Sequence, residues 1–82
     1  MKRIEETRAV KSGLKAAGII ANVKHGKGTA SAWLHVHVYK DPEFQEGSEN
    51  YARIWRMAAK FAGREDWREN CINAYFHLNE EA

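Results

Sequence analysis

Residues 32 to 39 alternate between apolar side chains and side chains that carry a ring. One set is Ala32, Leu34, Val36 and Val38, and the other is Trp33, His35, His37 and Tyr39. A period of two is typical of a β-strand whose two faces meet different surroundings. The apolar set predicts a side that faces a core. The ring-bearing set predicts a surface that needs a partner or another explanation.

Two segments have the spacing of amphipathic helices. Residues 3–17 predict a helix that Gly13 weakens and that ends at a capping Gly18. The clearer helix lies between Ser48, a candidate N-cap, and Gly63, a candidate C-cap. The apolar positions of this second helix are Tyr51, Ile54, Trp55, Ala58, Phe61 and Ala62. Such a stripe predicts packing on a sheet.

Two further segments predict strands, one before and one after residues 32–39 in the chain. Residues 19–24 read as a first strand, and the glycine-rich residues 25–30 form the turn of a hairpin. Asp41-Pro42 ends the second strand, because proline lacks an amide donor. Residues 71–78 alternate again and place Tyr75 and His77 on one side. Residues 64–69 read as a connection, and residues 80–82 as a frayed tail.

The predicted order is therefore α-β-β-α-β in a single domain of residues 1–82. We expect an α+β fold of two layers, with a three-stranded antiparallel sheet and both helices on one of its faces. The second strand could also be an edge strand, open to pairing with another chain. The face opposite the helices would carry Trp33, His35, His37, Tyr39, Tyr75 and His77.

Composition narrows the class of protein. The 82 residues are 44% hydrophobic and 29% charged, as in folded domains. No apolar run approaches the length of about 18 residues that spans a membrane, and the N-terminus lacks a signal-peptide pattern. The single cysteine, Cys71, excludes an internal disulfide. These features predict a cytoplasmic protein without membrane association.

Charge is distributed unevenly along the chain. Residues 1–40 contain eight Lys/Arg and two Asp/Glu, whereas residues 41–82 contain five Lys/Arg and nine Asp/Glu. The basic residues Lys24, His25 and Lys27 fall at the predicted hairpin. This asymmetry could steer an anionic partner to one side, or it could serve only solubility.

The histidines raise the possibility of a metal site. His35 and His37 would share one face, and His77 could join them on Zn²⁺ only if the third strand paired with the second. A set of half-exposed surface rings is the simpler interpretation, so no metal or cofactor is predicted. Cys71 and the carboxylates show no spacing that would indicate catalysis, and we expect a non-enzymatic protein.

Two kinds of macromolecular partner fit the ring-bearing face. Trp33, Tyr39 and Tyr75 could stack on unpaired bases beside the basic hairpin, as in proteins that bind single-stranded nucleic acid. Aromatic residues are also enriched at the centres of protein interfaces. Contact with a protein partner, or with a second copy of the chain as a homodimer, is the preferred hypothesis.

Residues 10–42 resemble a small domain of the large polyvalent proteins of phages and plasmids. The similar features are Leu14-Lys15-Ala16-Ala17-Gly18, Val23-Lys24, Thr29-Ala30-Ser31, Val36 with Val38, and Asp41-Pro42. The chain lacks the Phe-Pro-Gly that ends the helix in those domains. The resemblance implies an origin in a mobile element and an accessory binding role. It carries over no catalytic residue.

Overall fold

The computed structural model describes residues 3–28, 32–64 and 71–79. In chain order the elements are α1 (Arg3–Ala16), β1 (Ile20–His25), β2 (Leu34–Lys40), α2 (Glu49–Ala62) and β3 (Ile72–Phe76). This confirms the predicted order and the α+β class. Residues 29–31 of the predicted turn, residues 65–69 of the predicted connection and residues 80–82 of the predicted tail lie outside the described residues. Within the described ranges, no helix combines the length and apolar character needed to cross a bilayer.

The sheet is mixed, and the prediction of a wholly antiparallel sheet is wrong. β2 lies between β1 and β3, pairing antiparallel with β1 and parallel with β3. The reason is that α2 carries the chain back along the sheet, so β3 starts at the same end as β2 and Ile72 pairs with Leu34. β2 is therefore the central strand and not an edge strand.

The core lies on one face of this sheet. Leu34, Val36 and Val38 of β2 have no exposed surface, which confirms the apolar side of the alternation. The same buried cluster includes Val10, Leu14, Ile54 and Ala58 from the two helices. Because both helices pack on this face, the opposite face of β2 and β3 carries the ring-bearing side chains.

Both helices end in the same glycine-containing turn. Gly18 and Gly63 have φ angles of 82° and 71°, a conformation that glycine adopts without steric cost. In each turn the amide of the next residue, Ile19 or Arg64, donates to the carbonyl five residues earlier, at 2.9 and 3.0 Å. This Schellman geometry turns the next side chain back toward the protein. Ile19 and Arg64 are accordingly 2% and 4% exposed.

The start of α2 depends on Asn50 more than on the predicted cap. Ser48 precedes the helix as expected, but its side chain makes no capping hydrogen bond. The Oδ1 atom of Asn50 instead accepts a hydrogen bond from the amide of Gln45 at 3.1 Å, and its Nδ2 atom donates to the carbonyl of Gly47 at 3.0 Å. The buried Asn50 side chain thus fixes the loop that leads into α2.

Gly13 is needed where α1 meets α2. A Cβ atom at this position would lie 2.5 Å from two ring atoms of Phe61. We therefore expect Gly13→Ala to destabilise the protein by about 1–3 kcal/mol, because overpacking outweighs the gain of about 1 kcal/mol in helix propensity. Urea unfolding measures the difference. The neighbouring exposed Ser12→Ala, which gains propensity without a clash, should be neutral or slightly stabilising. Equal effects of the two substitutions would contradict this account.

Candidate binding face

Rings of β2 and β3 stack in pairs across the two strands. His37 is the cross-strand partner of Tyr75, and their ring centroids are 4.8 Å apart with planes inclined by 16°. Tyr39 and His77 form a second such pair, at 5.1 Å and 20°. Each of these rings therefore packs against a ring of the neighbouring strand.

A hydrogen bond between two imidazoles joins the stacked pairs. The Nδ1 atom of His37 lies 3.0 Å from the Nε2 atom of His77. The ring centroids are 5.2 Å apart, so the two nitrogens lie between the centroids and point toward each other. One nitrogen donates its proton and the other accepts it. Together with His35, which contacts Tyr75 at 6.0 Å, the rings form one connected set.

We call this set the ring ladder. It consists of His35, His37, Tyr39, Tyr75 and His77. The structure thus brings together five of the six residues predicted for the face. Trp33 lies just before β2 and is 36% exposed, while Tyr75 is 41% exposed. Each of the two strands supplies stacked rings, and no helix covers them.

The predicted basic hairpin divides between the two faces of the sheet. Lys24 is the cross-strand partner of His35 and lies on the face of the ring ladder, and Lys27 is exposed in the turn. His25, one residue after Lys24, points to the opposite face because side chains alternate along a strand. Its Nε2 atom lies 3.1 Å from Glu6, and its side chain is 10% exposed. Lys24 is thus the basic hairpin residue nearest the rings.

The surroundings of His37 disfavour its protonation. Partial burial lowers the pKa of this imidazole below 6.5, and positive charge on His77, Lys24 and His35 lowers it further. The neutral form of His37 is accordingly favoured near neutral pH.

The structure does not assemble the three histidines around a common point. β3 does pair with β2, which was the condition for a metal site, and it brings His77 to His37. His35 instead contacts the ring of Tyr75. Within the described residues, no group of three or more His, Cys, Asp or Glu side chains is arranged to hold a metal ion.

A buried ion pair on the helix side escaped the sequence analysis. The guanidinium of Arg64 donates two hydrogen bonds to the carboxylate of Glu6, each 2.8 Å long, and a third to the carbonyl of Cys71 at 3.3 Å. Glu6 and Arg64 are 5% and 4% exposed. This cluster joins the start of α1, the end of α2 and the start of β3. It also includes β1, because His25 of that strand contacts Glu6. We call it the corner cluster.

The sequence did contain a signal for the corner cluster. Glu6, Val10 and Leu14 are spaced four residues apart, which places the carboxylate on the apolar stripe of α1. A charged residue on such a stripe indicates a buried ion pair. Its partner, Arg64, follows the capping Gly63 at a position that turns inward.

The loop after β2 contains a second unexpected ion pair. The side chain of Asp41 is fully buried and forms a salt bridge with Arg53 of α2. Its Oδ1 atom also accepts a hydrogen bond from the amide of Glu43 at 3.0 Å. Asp41 therefore fixes the loop to α2 and is not one of a set of solvated carboxylates.

The fold and the face define a small α+β domain with an exposed layer of ordered rings. Comparison with known proteins finds no matching protein-family model, curated protein or solved structure. The resemblance to domains of phages and plasmids therefore stays a prediction. Functional inference depends on the geometry of the ring ladder.

Proposed function

We propose that this protein is a non-enzymatic interaction module that binds a second copy of itself through the ring ladder. The observation that supports this is the face-to-face stacking of rings on the side of the sheet that neither helix covers. An accessory binding role also agrees with what the phage and plasmid resemblance implies. Binding to another protein through the same face is the broader form of the proposal.

The ring ladder is organised before any partner arrives. Each stacked ring is held by a neighbour on the adjacent strand, and His37 and His77 are also hydrogen-bonded to each other. Immobilising a free side chain at an interface costs about 0.5–1.5 kcal/mol, and a preformed layer avoids much of that cost. Tyrosine rings suit such contacts because an apolar body carries a polar tip.

Groups on this face can pair with identical groups. A tyrosine hydroxyl and a neutral imidazole each both donate and accept hydrogen bonds, so they are self-complementary across a two-fold axis. Lys24 is the fixed charge on the β1 side of the face, which keeps repulsion between two copies small near neutral pH. A second copy is therefore a chemically suitable occupant.

The size of the face sets the expected affinity. Three strands spaced about 4.8 Å apart, each five to seven residues long, give a projected area of about 300 Å² per copy. Such a contact, about 600 Å² over both copies, is smaller than the roughly 1,200–2,000 Å² of a stable specific interface and is in the range of weak, transient ones. We therefore expect a weak homodimer, with a Kd of about 10–100 μM.

Replacing Tyr75 with glutamate tests the proposal. The substitution removes an exposed, stacked ring and adds a charge that a dimer would bury, so we expect the Kd to rise at least about tenfold. Sedimentation velocity from about 1 to about 500 μM protein covers the expected Kd. Ser12→Glu adds the same charge on the exposed surface of α1 and should not change association. A wild-type protein that stays monomeric throughout would overturn the proposal of self-association.

Single-stranded nucleic acid is the second candidate partner. Lys24 beside the ladder and the exposed Lys27 favour it, since cations beside rings suit phosphates and bases. Against it, these rings already stack on one another, whereas base stacking needs an open ring face. Fluorescence anisotropy with a labelled oligothymidine separates the two hypotheses. Binding that weakens with salt and is lost in Lys24→Glu would favour the nucleic-acid hypothesis.

A further inference from the structure

We propose that the hydrogen-bonded pair of His37 and His77 makes self-association through the ring ladder sensitive to pH, with dimers dissociating as the pH falls. This inference rests on the proposed function, since it concerns regulation of the same face. The observation behind it is the direct opposition of two ring nitrogens 3.0 Å apart.

The geometry limits how many protons the pair can hold. In the neutral pair, one inner nitrogen carries a proton and the other accepts it. A first additional proton can bind at an outer nitrogen and leave this bond intact, but it gives the face a positive charge. A second additional proton places two N–H groups opposite each other, so the bond between His37 and His77 must break. Full protonation therefore separates two rings that organise the ladder.

The charged groups that the structure describes on this face oppose protonation of His37. His37 is faced by Lys24 from β1, by His35 and Tyr39 from its own strand, and by Tyr75 and His77 from β3. Three of these groups, His77, Lys24 and His35, place positive charge near the imidazole. Both burial and these charges lower the pKa of His37. Its charging is thus shifted below pH 6.5, and the helices contribute nothing because they pack on the other face.

Dimerisation amplifies this effect because it brings two such faces together. A proton bound on one copy would face the identical positive groups of the other across a partly desolvated contact. Dimers therefore bind fewer protons than free chains in the range where the histidines titrate. By linkage, each proton released on association changes the association constant about tenfold per pH unit. We expect the Kd to rise at least about tenfold between about pH 7.5 and 5.5.

Sedimentation velocity of the full chain at these two pH values tests the inference. The double variant His37→Asn/His77→Gln keeps groups that donate and accept hydrogen bonds but cannot be protonated, so its Kd should change less than about threefold. His35→Asn removes a histidine of the ladder outside the pair, so it should reduce the pH dependence less than the double variant does. Circular dichroism at both pH values verifies that each variant is folded.

The outcomes separate this inference from the proposed function. A wild-type dimer whose Kd does not change with pH, or a double variant that keeps the pH dependence of the wild type, overturns the inference and leaves self-association standing. If the wild type is monomeric at both pH values, self-association fails. NMR titration of the monomer then tests the pair directly, because His77→Gln should raise the pKa of His37 toward 6.5. An unchanged His37 pKa in that variant would also overturn the inference.

Discussion

Val36→Asp should unfold the protein, whereas His35→Asp, one position away on the same strand, should leave it folded. Val36 is fully buried in the core and pairs with Val23 and Ala74 on either side. Burial raises the pKa of a carboxyl group by about 3–5 units, so keeping it protonated inside the core at pH 7 costs up to about 4 kcal/mol, and the lost apolar packing adds to that cost. A domain of 82 residues has a total stability of only about 4–12 kcal/mol.

The matched substitution at His35 meets a different environment. His35 lies on the face of the ring ladder, and its cross-strand partner is Lys24. A carboxylate there stays solvated and is attracted to the lysine, so stability should change by less than about 1 kcal/mol. Circular dichroism and urea unfolding at pH 7 compare the two variants. A folded Val36→Asp protein, or an unfolded His35→Asp protein, would show that the faces of β2 are assigned the wrong way round.

Arg64→Ala should destabilise the protein by about 3–5 kcal/mol, the usual result of leaving one member of a buried ion pair behind. Glu6 would lose two hydrogen bonds of 2.8 Å while its carboxylate stays 5% exposed next to His25. Thermal and urea unfolding measure the loss. Lys60→Ala removes an exposed cation from the last turn of α2 and should cost less than about 0.5 kcal/mol.

A double-mutant cycle shows whether the Arg64 effect arises from the pair. If Glu6 and Arg64 act on each other, Glu6→Ala/Arg64→Ala should cost less than the two single substitutions added together. Replacing both with apolar residues, as in Glu6→Leu/Arg64→Met, should recover much of the stability, because burying the ions is itself costly. Strict additivity of the single effects would mean that the corner cluster contributes through packing alone.

The alternation in residues 32–39 predicted the most about this protein. It identified Leu34, Val36 and Val38 as core residues and, by exclusion, the rings of the opposite face. Local chemistry also predicted the helix ends, since Gly18 and Gly63 adopt the positive φ angles that a glycine cap requires. These features depend on neighbours in sequence, and a sequence contains that information directly.

Features that depend on distant pairs were not predicted. Side chains alternate between the two faces with a period of two in parallel and in antiparallel strands alike. The alternation of residues 71–78 therefore could not reveal the direction of β3. Glu6 and Arg64 are 58 positions apart in the chain, and only the packing of α1 against α2 brings them together. The bond between His37 and His77 likewise required the strand order and the register. Each of these interactions is created by the tertiary structure.

Because β3 follows α2 in the chain, the ring ladder can form only after both helices have been synthesised. Tyr39 and His37 belong to the hairpin of β1 and β2, which could form early during synthesis, but their stacking partners His77 and Tyr75 are among the last described residues. A truncated or nascent chain can thus bury part of its core and still lack the layer of rings.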